Sequence, residues 1–427
     1  LLQTLGGTIN SIWVGQLLGS DALAATANGN IVTFLSFAGV FGFSMATTVK
    51  VGQHFGARDL DAARRIFGTG IGFCVALATA LALIGWVFSP QILALLKTPQ
   101  VIHDDALIYL QISFLGMPFA TVGMMITMGL RGAGDAKTPL YSMILMTVLT
   151  ALLNPLFIAG WGPVPAMGIA GSAWAALVGG AIGAIWLIAR LYSHDLPLRL
   201  RGAERRYLLP MREELSYVAG KGLPMGAQML IGSLAAAFMF NLVNREGMTV
   251  SAGYSAVLQI WNYIQMPAFA ISMAVSAMVA QNIGAGHHER AGQINNLGVW
   301  VNTAVTVVLS LALLAFDGPV LALFLGKGSP AIPTAEHIQD LATVAWVFSG
   351  VMMIQSGTLR AYGVVMAPLI IMIVSQYFAR LGFYYAFYDS LGVDALWLSY
   401  PFGGLVALAM TWWTYRYGGW RKKLIPE

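Results

Sequence analysis

Twelve stretches of mainly apolar residues divide this 427-residue chain from end to end, each close to the roughly 20 residues that a membrane-spanning helix requires. They fall near residues 1–18, 23–48, 65–88, 105–130, 138–160, 168–191, 218–243, 250–280, 292–316, 338–359, 366–388 and 394–415. Inside a bilayer every backbone N–H and C=O must find its partner within the segment, so runs of this length are helices. Charge agrees with that reading: 10% of the residues are charged, against about a quarter in a soluble domain. The expected fold class is therefore all-α integral membrane, with twelve transmembrane helices.

Where the cations fall sets the orientation, because short cytoplasmic loops hold the excess of Lys and Arg. With the amino terminus inside, eighteen of the 23 Lys and Arg residues lie in inner loops or tails, and only Lys97, Arg245 and Lys327 lie outside. Both termini are thus expected in the cytoplasm of a cell with this inner-membrane, multi-pass protein. The tail "WWTYRYGGWRKK" supplies an aromatic belt followed by basic residues. The net charge of +5 reads as a topology signal, so nucleic acid is not an expected partner; the lipid bilayer is. The chain opens on "LLQTLGGTIN", without Met and with an apolar run already under way, so its true start is expected to lie upstream.

The chain also repeats itself. "SMATTVKVGQHFGA" at 44–57 returns as "SMAVSAMVAQNIGA" at 272–285, and "LRGAGDAKTPL" at 130–140 returns as "LRAYGVVMAPL" at 359–369, with offsets of 228 and 229. Two pseudo-symmetric six-helix bundles follow, residues 1–192 and 218–427, joined by a polar cytoplasmic linker over 193–217. Because six is even, the two halves run parallel. Repeats of this kind are an architecture of secondary transporters, whose site lies near the midplane.

"VGQHFGARDLDAARR", "LRGAGDAKTPL", "NPLFIAGWG" and "MGIAGSAWA", in that order, resemble the multidrug and toxic-compound extrusion (MATE) transporters of the MOP superfamily. The likeness covers almost the whole chain. It implies a central cavity and efflux of small organic, often cationic, compounds in exchange for H+ or Na+. The expected mode is alternating-access export of amphipathic compounds, and a monomer with no cofactor is expected. Matched to the family's pattern, Asn10 in "INSIWVG" and Asn154 in "LNPLFI" stand where the family commonly has Asp.

That departure matters because all eighteen acidic residues fall in loops or at predicted helix ends. An intramembrane carboxylic acid is the usual proton carrier, and an amide cannot do that work. Asn10 and Asn154, helped by Ser11, Thr150 or backbone carbonyls, either coordinate sodium through neutral oxygens or pair helices by hydrogen bonds. A cationic compound moving outward climbs the membrane potential, so without a counter-ion the protein only equilibrates its substrate. The open alternatives are an unconventional proton or sodium site, a facilitator, or a substrate whose own charge supplies the bias.

The candidate substrate-lining residues are the polar and aromatic side chains on apolar helices: Trp13, Asn28, Asn30, Tyr254, Gln259, Asn262 and Gln265. With 21 Met and 11% aromatic residues they suit a deformable, promiscuous pocket. Gating candidates are Lys50, Gln53, Gln281, Arg131 and Arg360: Lys50 snorkels or gates, the glutamines cap the repeated helix ends, and the arginines pin inner carbonyls or lipid phosphates. Arg380 is expected to anchor the outer interface among aromatics.

An enzyme is not expected. Cys74, the only cysteine, sits in an apolar run, and the six histidines occupy loops or helix ends without an H-E-x-x-H pattern, so no metal site is expected. A lipid-linked precursor flippase of the same superfamily is the stronger rival. It would line its cavity with several cations for pyrophosphate, and only Lys50 is offered there.

Overall fold

The computed structural model describes residues 2–160 and 165–419, apart from the side chains of residues 2–5, Ser20 and Asn28. Among them the chain is helical throughout and no strand forms. The first half comprises α1 (Leu2–Leu18), α2 (Ser20–Gly56), α3 (Leu60–Val87), α4 (Ser89–Leu95), α5 (Gln100–Gly132), α6 (Lys137–Ala159) and α7 (Ile169–Ser193). A short 3-10 helix, Gly202–Leu208, interrupts the polar linker. The second half comprises α8 (Arg212–Arg245), α9 (Met248–Gly284), α10 (His288–Ala315), α11 (Asp317–Leu325), α12 (Ile332–Ala342), α13 (Val344–Ala361), α14 (Met366–Ile373), α15 (Arg380–Leu391) and α16 (Asp394–Tyr417).

Among the described residues ten helices are long and apolar enough to cross a membrane, and α12 with α13, bent by 47°, makes an eleventh. With α1, of 17 residues, this is the twelve-helix, two-bundle fold that the apolar runs predict. The compact units are residues 1–226 and 227–427, so α8 carries the boundary between them.

The apolar runs understated several elements. Helices α2 and α9 each contain 37 residues, about 55 Å at 1.5 Å per residue, and so outrun the roughly 30 Å hydrocarbon layer. Each half also adds a short helix after its third span, α4 and α11. The eleventh span is irregular: α14 and α15 are joined by a π turn over Val374–Ala379.

Why the two quoted segments match is now visible. Ser44 Oγ lies 3.0 Å from Met125 Sδ on α5, while Ser272 Oγ donates to the Met353 carbonyl on α13 at 2.7 Å, the same 81 residues away. The helix ends match as well. Asp59 N bonds to the His54 carbonyl and Arg58 N to Phe55, and His287 N and Gly286 N bond likewise to Asn282 and Ile283. These are two Schellman endings, whose left-handed residue is Arg58 (φ 60°) in one copy and Gly286 (φ 76°) in the other.

The linker is docked on α3. Arg64 Nη1 reaches Glu204 Oε1 at 2.8 Å and its Nε donates to the Pro197 carbonyl at 2.9 Å, while Tyr207 Oη donates to Asp61 Oδ1 at 2.8 Å. Gly72 makes this seat possible, because a Cβ there would overlap the Leu208 carbonyl.

Candidate functional site

In the amino-terminal unit five helices carry neutral polar groups. Ser172 on α7 donates to Asn10 Oδ1 on α1 at 2.7 Å. Tyr109 on α5, buried, donates to Asn30 Oδ1 on α2 at 3.0 Å, and its hydroxyl also approaches Asn10. On α6, Asn154 is 0% exposed; its Nδ2 donates to the Thr150 carbonyl at 2.8 Å, and its Oδ1 has no partner. A buried acceptor left so costs about 1–3 kcal/mol. Trp13 packs half-buried against the unit's core, and Asn28 falls outside the described side chains.

Carboxylates are kept away from this depth. Among the described residues every Asp and Glu lies in a loop or within two turns of a helix end. No group of three or more metal-ligating side chains forms among them.

In the carboxy-terminal unit the four predicted lining residues on α9 differ in burial. Tyr254 is 1% exposed, whereas Gln259 and Asn262 lie on the exposed side of the same helix and Gln265 is half-buried. The Tyr254 hydroxyl pairs with that of Tyr400. Its ring lies 5.6 Å from Trp397 and 6.4 Å from Trp261, and Trp261 in turn lies 5.3 Å from both Trp346 and Tyr400.

Against this cluster stands Arg380, which the sequence reading placed at the outer interface. It is instead buried inside the unit, at 6% exposure, with its guanidinium carbon 3.7 Å from the centre of the Tyr400 ring. The π turn explains the difference: one extra residue per turn rotates everything beyond it, and that shift is invisible to hydropathy. A desolvated cation–π contact contributes about 2 kcal/mol, while an arginine at the centre of a span costs about 2.5–3.5 kcal/mol on insertion scales. Nη1 donates to Gln376, but Nε and Nη2 are buried without partners. The ring alone therefore does not account for the site.

The gating candidates resolve differently from expectation. Lys50 Nζ sits 5.2 Å from the centre of the Tyr217 ring on α8, a cation–π contact. Gln53 and Gln281 are equivalent: their carbonyls accept from Ala57 N and Ala285 N, each at 3.0 Å. Arg131 and Arg360, the equivalent arginines of the two copies, have different neighbours. Arg131 Nη2 lies 3.6 Å from Met143 Sδ, and Arg360 Nη1 lies 3.5 Å from Gln228 Oε1.

Residue reading also passed over Tyr109, Ser172, the tryptophans around Tyr400, and a buried polar seam on α10. Along that seam Asn295 accepts from Thr358 Oγ1 at 2.8 Å, and Asn302 is 0% exposed with neither amide atom partnered. The spacing 295, 302, 306, 310 on a helical face was the available signal.

The MatE family model matches residues 1–156 and 224–385 of the chain. Aligned over 430 residues, all of this chain and 92% of the relative, the sequence is 32% identical to the probable multidrug resistance protein YoeA of Bacillus subtilis. It is 26% identical to a protein of Shewanella oneidensis named as an FAD transporter, over 76% of this chain and 71% of that one. In fold it resembles a MOP superfamily transporter from Pyrococcus furiosus, with a TM-score of 0.89 at 21% identity, covering 99% of this chain and 92% of that one.

Proposed function

The chain belongs to the MatE family, and from that premise we propose that it is a plasma-membrane exporter of amphipathic organic compounds that works by alternating access, with both termini in the cytoplasm. The observation that carries this reading is the repeated packing, in which Ser44 and Ser272 join corresponding helices 81 residues further on. Two units built to one plan give a transporter two matched bodies for alternating access. The distribution of Lys and Arg supports the orientation.

The coupling cation that fits is sodium. Asn154 Oδ1, buried without a partner, together with Asn10 and the Thr150 backbone, offers neutral oxygens to a hard cation. A proton finds no carboxylate here. The cationic substrates that the resemblance implies would gain from an acidic partner in the pathway, and the described residues place none away from helix ends.

Transport in proteoliposomes tests the proposal. An inward sodium gradient is expected to drive export of a fluorescent amphipathic compound, and a pH gradient alone is not. Absence of protein-dependent movement of any such compound under either gradient would overturn the exporter reading.

A further inference from the structure

Arg380 lies deep in the membrane. It is 14 residues beyond Met366 and 11 before Leu391, the ends of its span, or about 21 and 17 Å at 1.5 Å per residue. Its backbone N–H bonds to the Ser375 carbonyl five residues back, so the π turn ends on this residue. π turns are frequent at functional sites.

The guanidinium's partners are divided by edge. Nη1 donates to Gln376 and the face covers Tyr400. Nε and Nη2, which share the edge whose two N–H bonds run parallel, are both buried without partners. That edge is the one that matches the two oxygens of a carboxylate or similar oxyanion. Among the described residues Arg380 forms no salt bridge.

The side chains around it have the same bias. Trp261, stacked between Tyr400 and Trp346, has an unpartnered buried Nε1, and so has Trp346. Two N–H donors on Arg380 and one each on Trp261 and Trp346 are thus buried without partners, set among aromatic rings. A structural cation–π seat needs none of these donors. A negatively charged group with two oxygens is what the free edge of Arg380 would pair with.

We propose that Arg380, with Trp261 and Trp346, binds the anionic group of the transported compound, and that the substrates are aromatic oxyanions rather than cations. The proposal rests on the exporter reading above and names its substrate class. It also resolves the energetics of a pathway without fixed acids. An anion leaving a cell whose interior is negative runs down the membrane potential, which supports about a 50-fold concentration ratio for one charge at 100 mV.

The test uses two probes with one ring and fixed, opposite charges: naphthalene-2-sulfonate and naphthalen-2-yltrimethylammonium. In proteoliposomes holding the full chain, export of the sulfonate is expected to rise with an interior-negative potential, and Arg380→Gln is expected to reduce it at least tenfold. Arg380→Lys, which keeps the charge and loses the parallel edge, is expected to fall between. In case these variants do not fold, titration of the wild-type protein in detergent gives a second readout. The sulfonate is expected to quench tryptophan emission saturably, and the ammonium is not. If the ammonium moves and the sulfonate does not, or if both probes quench alike, the anion site is overturned while the exporter reading stands. If neither probe moves under any gradient, both fall.

Discussion

Gly403 and Arg380 share one space: a Cβ on Gly403 would stand 2.9 Å from Arg380 Cδ, closer still to Cγ, and 3.0 Å from the Ser375 carbonyl. The bare α16 backbone is what allows the arginine stem to cross it and lay its guanidinium on Tyr400. Gly403→Ala is therefore expected to displace Arg380 at a cost of about 1–3 kcal/mol, the range for overpacking a tight site. Thermal unfolding in detergent reads the cost, and sulfonate quenching at least tenfold weaker reads the displacement. Unchanged quenching would mean that the stem relaxes without moving its head.

Removing the amides separates coupling from folding. Asn154→Ala deletes an oxygen that has no protein partner and a single bond to Thr150, and Asn10→Ala breaks its bond with Ser172. Polar pairs between membrane helices average about 0.6 kcal/mol, so the double variant is expected to keep most of its folded yield. Its apparent sodium affinity in transport is expected to fall at least tenfold. Equal losses of yield and transport would make the amides ordinary helix-pairing groups.

The docked linker gives a contrast in magnitude. Arg64→Ala removes a partly exposed ion pair with Glu204, worth about 0–1 kcal/mol, and one hydrogen bond to the Pro197 carbonyl, worth about 1 kcal/mol, so limited proteolysis of residues 194–211 is expected to rise only a few-fold. Gly72→Val places a side chain where the Leu208 carbonyl lies and is expected to raise the cleavage rate at least tenfold. A larger effect from Arg64→Ala would show that charge rather than fit holds the linker.

At the repeated helix endings the two copies differ by one residue type. Arg58 adopts φ 60° and Gly286 φ 76°, a region that costs a non-glycine residue about 1–2 kcal/mol. Arg58→Gly is expected to stabilise the protein by up to about 1 kcal/mol, and Gly286→Ala to destabilise it by a similar amount. Opposite shifts in detergent unfolding temperature check both.

What the sequence disclosed depended on which physical signal each feature carried. Long apolar runs report burial in lipid, so the spans were legible to within a few residues, with the largest differences at the end of α2 and the starts of α8 and α12. Identity at a fixed offset reported the duplication, and Ser44 with Ser272 shows that the conserved letters include an interhelical contact. Lys50 and Arg380 were visible as cations inside spans, but their seats on Tyr217 and Tyr400 depend on which way a helix faces. For Arg380 that facing is set by a π turn, which has no hydropathic signature. Tyr254, Gln259, Asn262 and Gln265 share a helix, yet only their angular positions show that Tyr254 packs inside the unit while Gln259 and Asn262 are exposed.

The charge of the transported compound can be measured directly. Proteoliposomes adsorbed on a solid-supported membrane report the sign of the current that follows a concentration jump of naphthalene-2-sulfonate. The account predicts a transient with the sign of a moving anion, abolished by Arg380→Gln and insensitive to a pH gradient. A current carried instead by the matched ammonium ion and driven by protons would contradict it.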